Sequence, residues 1–189
     1  MLRRALFASI AASILAACGK SEPTEEVTEN EPQNDQMASD GKIDARLKEL
    51  GIEIPEAATP IAAYTPIRTV GNMVYIAGQG PKMSGTVGIE YTRDQAYDAA
   101  RSAAISVLSQ LKKACGGNLD RVVQCVQLQG IVRGTPDFTE QHLVINGASE
   151  LLRDVFGDAG LAARAAIGTN ALPVGFVCEV IATFEIRDA

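Results

Sequence analysis

Residues 42–189 predict an α+β domain: a mixed β-sheet with two helices on one face. Three observations carry this expectation. The stretch 92–115 repeats its apolar residues at helical spacing, and Pro136-Asp137-Phe138-Thr139 leads into a second helix from about Glu140 to Phe156. The stretch 176–187 alternates strictly, with Phe176, Cys178, Val180, Ala182, Phe184 and Ile186 on one face and Val177, Glu179, Ile181, Thr183, Glu185 and Arg187 on the other. After a lead-in helix the elements run β-β-α-β-α-β-β, so strands and helices alternate only in part, as in a mixed sheet rather than a doubly wound one.

The chain starts with a segment that fold reasoning leaves out. Met1-Leu2-Arg3-Arg4 is basic, and Ala5 to Ala17 is an apolar run of 13 residues. A bilayer span needs roughly 20. Leu15-Ala16-Ala17-Cys18-Gly19 resembles a bacterial lipobox, which implies cleavage before Cys18, lipidation of that cysteine, export to the periplasm and a lipid anchor. Gly19, rather than an aspartate, leaves the outer membrane open as the destination. The alternative is an ordinary signal peptide cut after a small-residue site, with Cys18 incidental. Residues 18–41 then carry Lys20 against seven acids and almost no large apolar residue, the composition of a disordered tether.

Charge narrows the function. The chain has a net charge of −6, but residues 42–189 hold 14 basic and 16 acidic side chains and are nearly neutral. With no basic stripe to neutralise phosphates, a nucleic acid is not an expected partner. One histidine, His142, and no C-x-x-C pair argue against a zinc site. Cys115, Cys125 and Cys178 are odd in number, cannot all pair within the chain, and read as buried apolar thiols.

The elements follow in order. Ile43, Leu47 and Leu50 mark a short leading helix that stops at Gly51. Pro60–Thr69 and Asn72–Ala77 read as two strands joined at Val70-Gly71. In Gly78-Gln79-Gly80-Pro81, Met83 replaces the third glycine of a dinucleotide fingerprint and no helix begins, so these glycines serve a turn or a close backbone approach. Residues 83–90 support at most a short edge strand. Thr92 caps the first long helix, Asp94 suits its positive end, and Gly116-Gly117 ends it. A strand from about Arg121 to Arg133 should place Val122, Val126, Leu128 and Val132 on one face. The second helix ends near Gly157. Arg164 begins the next strand, and a Leu172-Pro173 turn leads to the last. Arg164 and Glu179 are the leading candidates for chemistry, expected to converge from neighbouring strands on a crevice walled by two copies of the chain. A carboxylate on a face that also carries Val177 and Ile181 suits a partner chain or a cavity better than open water.

The segments NMVYIAGQGP, INGASELLRDVFGD and ARAAIGTNALPVGFVCEVIATFEI together resemble the reactive-intermediate deaminase (RidA, YjgF-type) family over roughly residues 43–187. The likeness is strongest to a branch labelled "putative endoribonuclease". It implies a chorismate-mutase-like fold, a C3 homotrimer with clefts between subunits, and the Glu179 face turned to the trimer interior. It implies hydrolysis of a 2-imino acid, formed from an enamine, to a 2-keto acid and ammonia without a cofactor. Arg164 would hold the substrate carboxylate and Glu179 would act as general base on water. Tyr64, the amide of Gly78, Asn146 and the backbone of Ala166 match further pocket positions. Ala77 departs from the hydroxyl that deaminating members commonly carry, and Ala165-Ala166 stands in place of Ser-Cys. Two other functions therefore stay open: a non-catalytic binder of small carboxylates and, ranked last, a ribonuclease. A serine hydrolase triad around His142 lacks an evident serine.

Overall fold

The structure, a computed structural model, describes residues 41–188. The expected signal segment, the lipidation site Cys18 and the acidic stretch up to residue 40 lie outside the described residues. In chain order the elements are α1 (Lys42–Glu49), β1 (Ile67–Val70), β2 (Met73–Gln79), α2 (Arg93–Ala114), β3 (Val122–Arg133), α3 (Gln141–Phe156), β4 (Ala163–Thr169) and β5 (Cys178–Ile186). The sheet order is β1-β2-β5-β3-β4. All neighbours are antiparallel except β3 and β4, which run parallel because α3 carries the chain back across the sheet.

Local signals set the helices. Thr92 closes a capping box on α2: its hydroxyl accepts from the Gln95 amide at 3.3 Å, and the Gln95 side chain accepts from the Thr92 amide at 2.9 Å. Gly116, in left-handed backbone, turns the chain away at the far end. The α1 terminus is capped from a distance: the Asp120 carboxylate accepts from the amides of Gly41, Lys42 and Ile43 at 2.5, 3.0 and 2.9 Å.

α2 and α3 cover one face of the sheet. Phe184, Val180, Ala182 and Cys178 of β5 and Leu128 and Val132 of β3 pack beneath Val107, Leu108 and Leu111 of α2 and Ile145, Leu151 and Leu152 of α3, all essentially without solvent exposure. Each large aliphatic buried this way contributes about 1.5–3 kcal/mol. Ala96, Ala99, Ala100, Ala103 and Ala104 let α2 approach closely, and Gly147 of α3 lies against the Tyr97 carbonyl.

Four expectations are corrected. β1 begins at Ile67 rather than Pro60, because Pro60 and Pro66 lack the N–H groups a ladder needs. Val126 does not share a face with Leu128: register shifts at Val122/Gln124 and Cys125/Gln127 turn Val126 outward and Cys125 into the core. β5 starts at Cys178, so Phe176 and Val177 precede it, and Val177 is buried, donating to the Met83 carbonyl and accepting from the Arg133 amide. Finally, β4 and β5 are not sheet neighbours. The loop between them, with Val174 in left-handed backbone (φ 49°), delivers the chain to a slot between β2 and β3.

Candidate functional site

Glu179 sits near the start of β5 on the sheet face opposite the helices, across from Ile131 of β3. On its other side is Gly78, at an irregularity where β2 shifts register between Ile76 and Gln79. A Cβ on residue 78 would overlap the Glu179 carboxyl group. Glycine there allows the backbone to approach a carboxylate of the same chain. Glu179 is partly buried and makes no hydrogen bond or ion pair among the described residues. Loss of hydration on burial disfavours its charged form, so its pKa lies above the ordinary carboxylate value.

Arg164 lies on β4, the sheet edge, paired with Leu128. Leu128 points towards the helices, and Arg164 does the same, reaching α3. Nη1 donates to Asn146 Oδ1 at 2.9 Å and to Ser149 Oγ at 3.0 Å, and Nη2 donates to the His142 carbonyl at 3.3 Å. All three acceptors are neutral. Arg164 has no acidic partner among the described residues. Its charge is therefore held in place but not compensated.

A family model described as "YjgF/chorismate_mutase-like, putative endoribonuclease" matches residues 44–186. The chain belongs to this YjgF/RidA family. A curated relative, Protein TCP17 of Trypanosoma cruzi, is 39% identical over 159 residues, covering 80% of this chain and 99% of the relative. A solved protein of unknown function from Agrobacterium tumefaciens is 40% identical with a TM-score of 0.72, over 77% of this chain and 93% of that one. A Shewanella oneidensis structure named "putative endoribonuclease" is 32% identical with a TM-score of 0.73, over 76% of this chain and 99% of that one. The five-stranded mixed sheet with its helices is the fold of this family.

In a single YjgF-family chain, Arg164 and Glu179 do not meet. They lie on opposite sheet faces with β3 between their strands, and their partners on β3, Leu128 and Ile131, are three residues apart. Two strand spacings and that offset separate their backbones by more than roughly 10 Å. The expectation of neighbouring strands is thus corrected: β3 lies between β4 and β5, and within one copy the two groups stand too far apart to share one small ligand. Asn146 is the predicted pocket residue that the structure does join to Arg164, and Gly78 is the one it joins to Glu179. Tyr64 lies in the irregular segment before β1 and is exposed; Ala166 is partly buried on β4 beside Gly130. Ala77 is on β2 next to Gly78, where its amide donates to the Pro66 carbonyl at 2.9 Å. Three surface clefts, the largest of about 680 Å³ between α1 and α3, are lined by neither Arg164 nor Glu179.

Ser149 escaped the sequence reading, although a signal existed. Positions 142, 146 and 149 follow i, i+4, i+7 spacing and fall on one helix stripe. No cluster of His, Cys, Asp and Glu among the described residues could hold a metal. The three described cysteines are buried, and burial pushes the thiol pKa of Cys125 and Cys178 up to about 12, which disfavours the reactive thiolate.

Proposed function

We propose that the chain hydrolyses reactive 2-imino acids, formed from enamines, to 2-keto acids and ammonia, in an exported, lipid-anchored form. The observation that carries this reading is the uncompensated Arg164 guanidinium, fixed by neutral acceptors and able to take a substrate carboxylate. Because Glu179 lies on the other sheet face, the site draws it from a second copy of the chain, in a homotrimer with clefts between subunits. Val70, Tyr75 and Ile167, exposed on the uncovered sheet face at 66, 47 and 49%, support that packing, since such an apolar face suits a partner.

The chemistry needs no cofactor, because the imine carbon is already electrophilic. Water attacks the carbon of the protonated imine as Glu179 takes a water proton; the C–O bond forms, the C=N π electrons move to nitrogen, and a neutral carbinolamine results. Glu179 hands that proton to nitrogen, then takes the hydroxyl proton as the C–N bond breaks and C=O forms; ammonia leaves the keto acid and carries the last proton away as ammonium. A raised Glu179 pKa brings this base closer to neutrality, where proton transfer in both directions is efficient. Tyr64, Gly78, Asn146 and Ala166 would line and orient the ligand.

Ala77 beside Gly78 favours a second reading, a non-catalytic binder of small carboxylates, because it offers no hydroxyl near Glu179. Turnover of freshly generated 2-iminobutyrate separates the two. Ammonia released by the wild type and lost in Arg164→Ala supports the enzyme; binding of 2-oxobutyrate without turnover supports the binder. Neither, or sedimentation as a single subunit, refutes the proposal. An endoribonuclease, the word in the names of the family and the Shewanella relative, has less support from a near-neutral domain with one histidine. The anchor rests on the Leu15-Ala16-Ala17-Cys18 run, and no helix among the described residues is long and apolar enough to cross a membrane. Fatty-acid labelling that persists in Cys18→Ala would refute it.

A further inference from the structure

The bonds around Arg164 say more than that it is held. A guanidinium has five N–H donors: one on Nε and two on each Nη. Asn146 Oδ1 and Ser149 Oγ take both hydrogens of Nη1, and the His142 carbonyl takes one from Nη2. A carboxylate can engage two nitrogens end-on, through Nη1 and Nη2, or side-on, through Nε and Nη2. With Nη1 saturated, the end-on fork is closed. The side edge remains, through Nε, which has no acceptor among the described residues, and the second hydrogen of Nη2.

We propose that Ser149 is a positioning residue for Arg164: by acting as the second acceptor on Nη1 it closes the end-on fork, so that a carboxylate is received on the Nε–Nη2 edge alone. This rests on the carboxylate-binding role given to Arg164 above. The partly buried hydroxyl stands one helical turn beyond Asn146, and with Asn146 as its single acceptor Nη1 would have a hydrogen to spare for the end-on fork. Keeping every partner neutral retains the full positive charge for the ligand. A carboxylate at 149 would hold the arginine as firmly and cancel what it has to offer.

Two measurements on the full chain test this. In the first, 2-oxobutyrate binding is compared with that of its uncharged amide, 2-oxobutanamide. Ser149→Ala is expected to weaken 2-oxobutyrate about tenfold, the scale of one hydrogen bond to a charged group. Binding of the amide and the melting temperature should not change, and Ser149→Thr, which keeps the hydroxyl, should recover most of the loss. Where turnover is measurable, KM should rise far more than kcat falls. Unchanged 2-oxobutyrate binding in Ser149→Ala, or an equal loss for the amide, overturns the proposal. In the second measurement, rotation about the Arg164 Nε–Cζ bond is read from its Nη nitrogen resonances, assigned with Arg164→Lys. Slow rotation in the wild type and in Ser149→Thr, with fast rotation in Ser149→Ala, supports the clamp; fast rotation in the wild type overturns it. If the wild type binds no 2-oxobutyrate, the functional reading fails, and this second result still decides whether Ser149 positions the arginine.

Discussion

Replacing Gly78 with alanine probes Glu179 without touching it. The new methyl group would occupy the space of the Glu179 carboxyl, whose far end is the flexible part of the contact. Gly78 has no left-handed backbone, so alanine is conformationally allowed there. Removing a glycine stiffens the unfolded chain, a gain of about 0.4–1 kcal/mol. Forcing Glu179 into a poorer rotamer costs about 0.5–1.5 kcal/mol. The two nearly cancel, so stability should stay within about 1 kcal/mol of wild type, a melting shift of at most roughly 4 °C. Turnover should behave differently. A general base supplies about 10²–10⁴-fold, and a carboxylate displaced from its water loses much of that. The assay pairs ammonia release from 2-iminobutyrate with thermal unfolding of the same preparation. Activity within twofold of wild type would refute the role given to the Glu179 position. A protein that no longer folds would refute the inference that the side chain, rather than the backbone, yields.

Glu179→Gln should raise stability at neutral pH while abolishing turnover. Its raised folded-state pKa means that the stability it contributes is fully present below about pH 4.5 and is lost as pH rises through the folded value, so the advantage of glutamine should vanish in acid, as chemical denaturation across pH would show. Asn146→Asp places an acid against Nη1 of Arg164, and the resulting ion pair should weaken 2-oxobutyrate binding at least about tenfold by calorimetry. Gly147→Ala sets a methyl against the rigid Tyr97 carbonyl and should destabilise by about 1–3 kcal/mol or more in denaturant unfolding, without any contact to Arg164 or Glu179. Cys115, Cys125 and Cys178 should resist a thiol reagent at neutral pH in the folded protein and react when it is unfolded.

The order of elements was legible because each rests on residues close in the chain. The Thr92–Gln95 box, the α2 alanine stripe and the β5 alternation state their own geometry through spacings of 3.6 and 2. The same is true of Arg164 and Glu179 as candidates, since a charge at the head of one strand and another on a half-apolar face are features of local pattern. Val126 failed for a physical reason: a bulge adds one residue against a partner strand, and nothing within 122–133 announces where the partner's register breaks.

Local pattern determined the helices and the sequence of strands, and marked Arg164 and Glu179 as candidates. Tertiary structure alone decided that β5 enters between β2 and β3, which puts Arg164 and Glu179 on opposite faces two strands apart. It also decided that Ser149 and Asn146 share the Arg164 guanidinium, and that Gly78 is small because a carboxylate from 101 residues later fills its side-chain space. Periodicity tells which way a side chain points from its own element. Which other element waits there depends on sheet order, and sheet order is set by how all the apolar faces are buried at once.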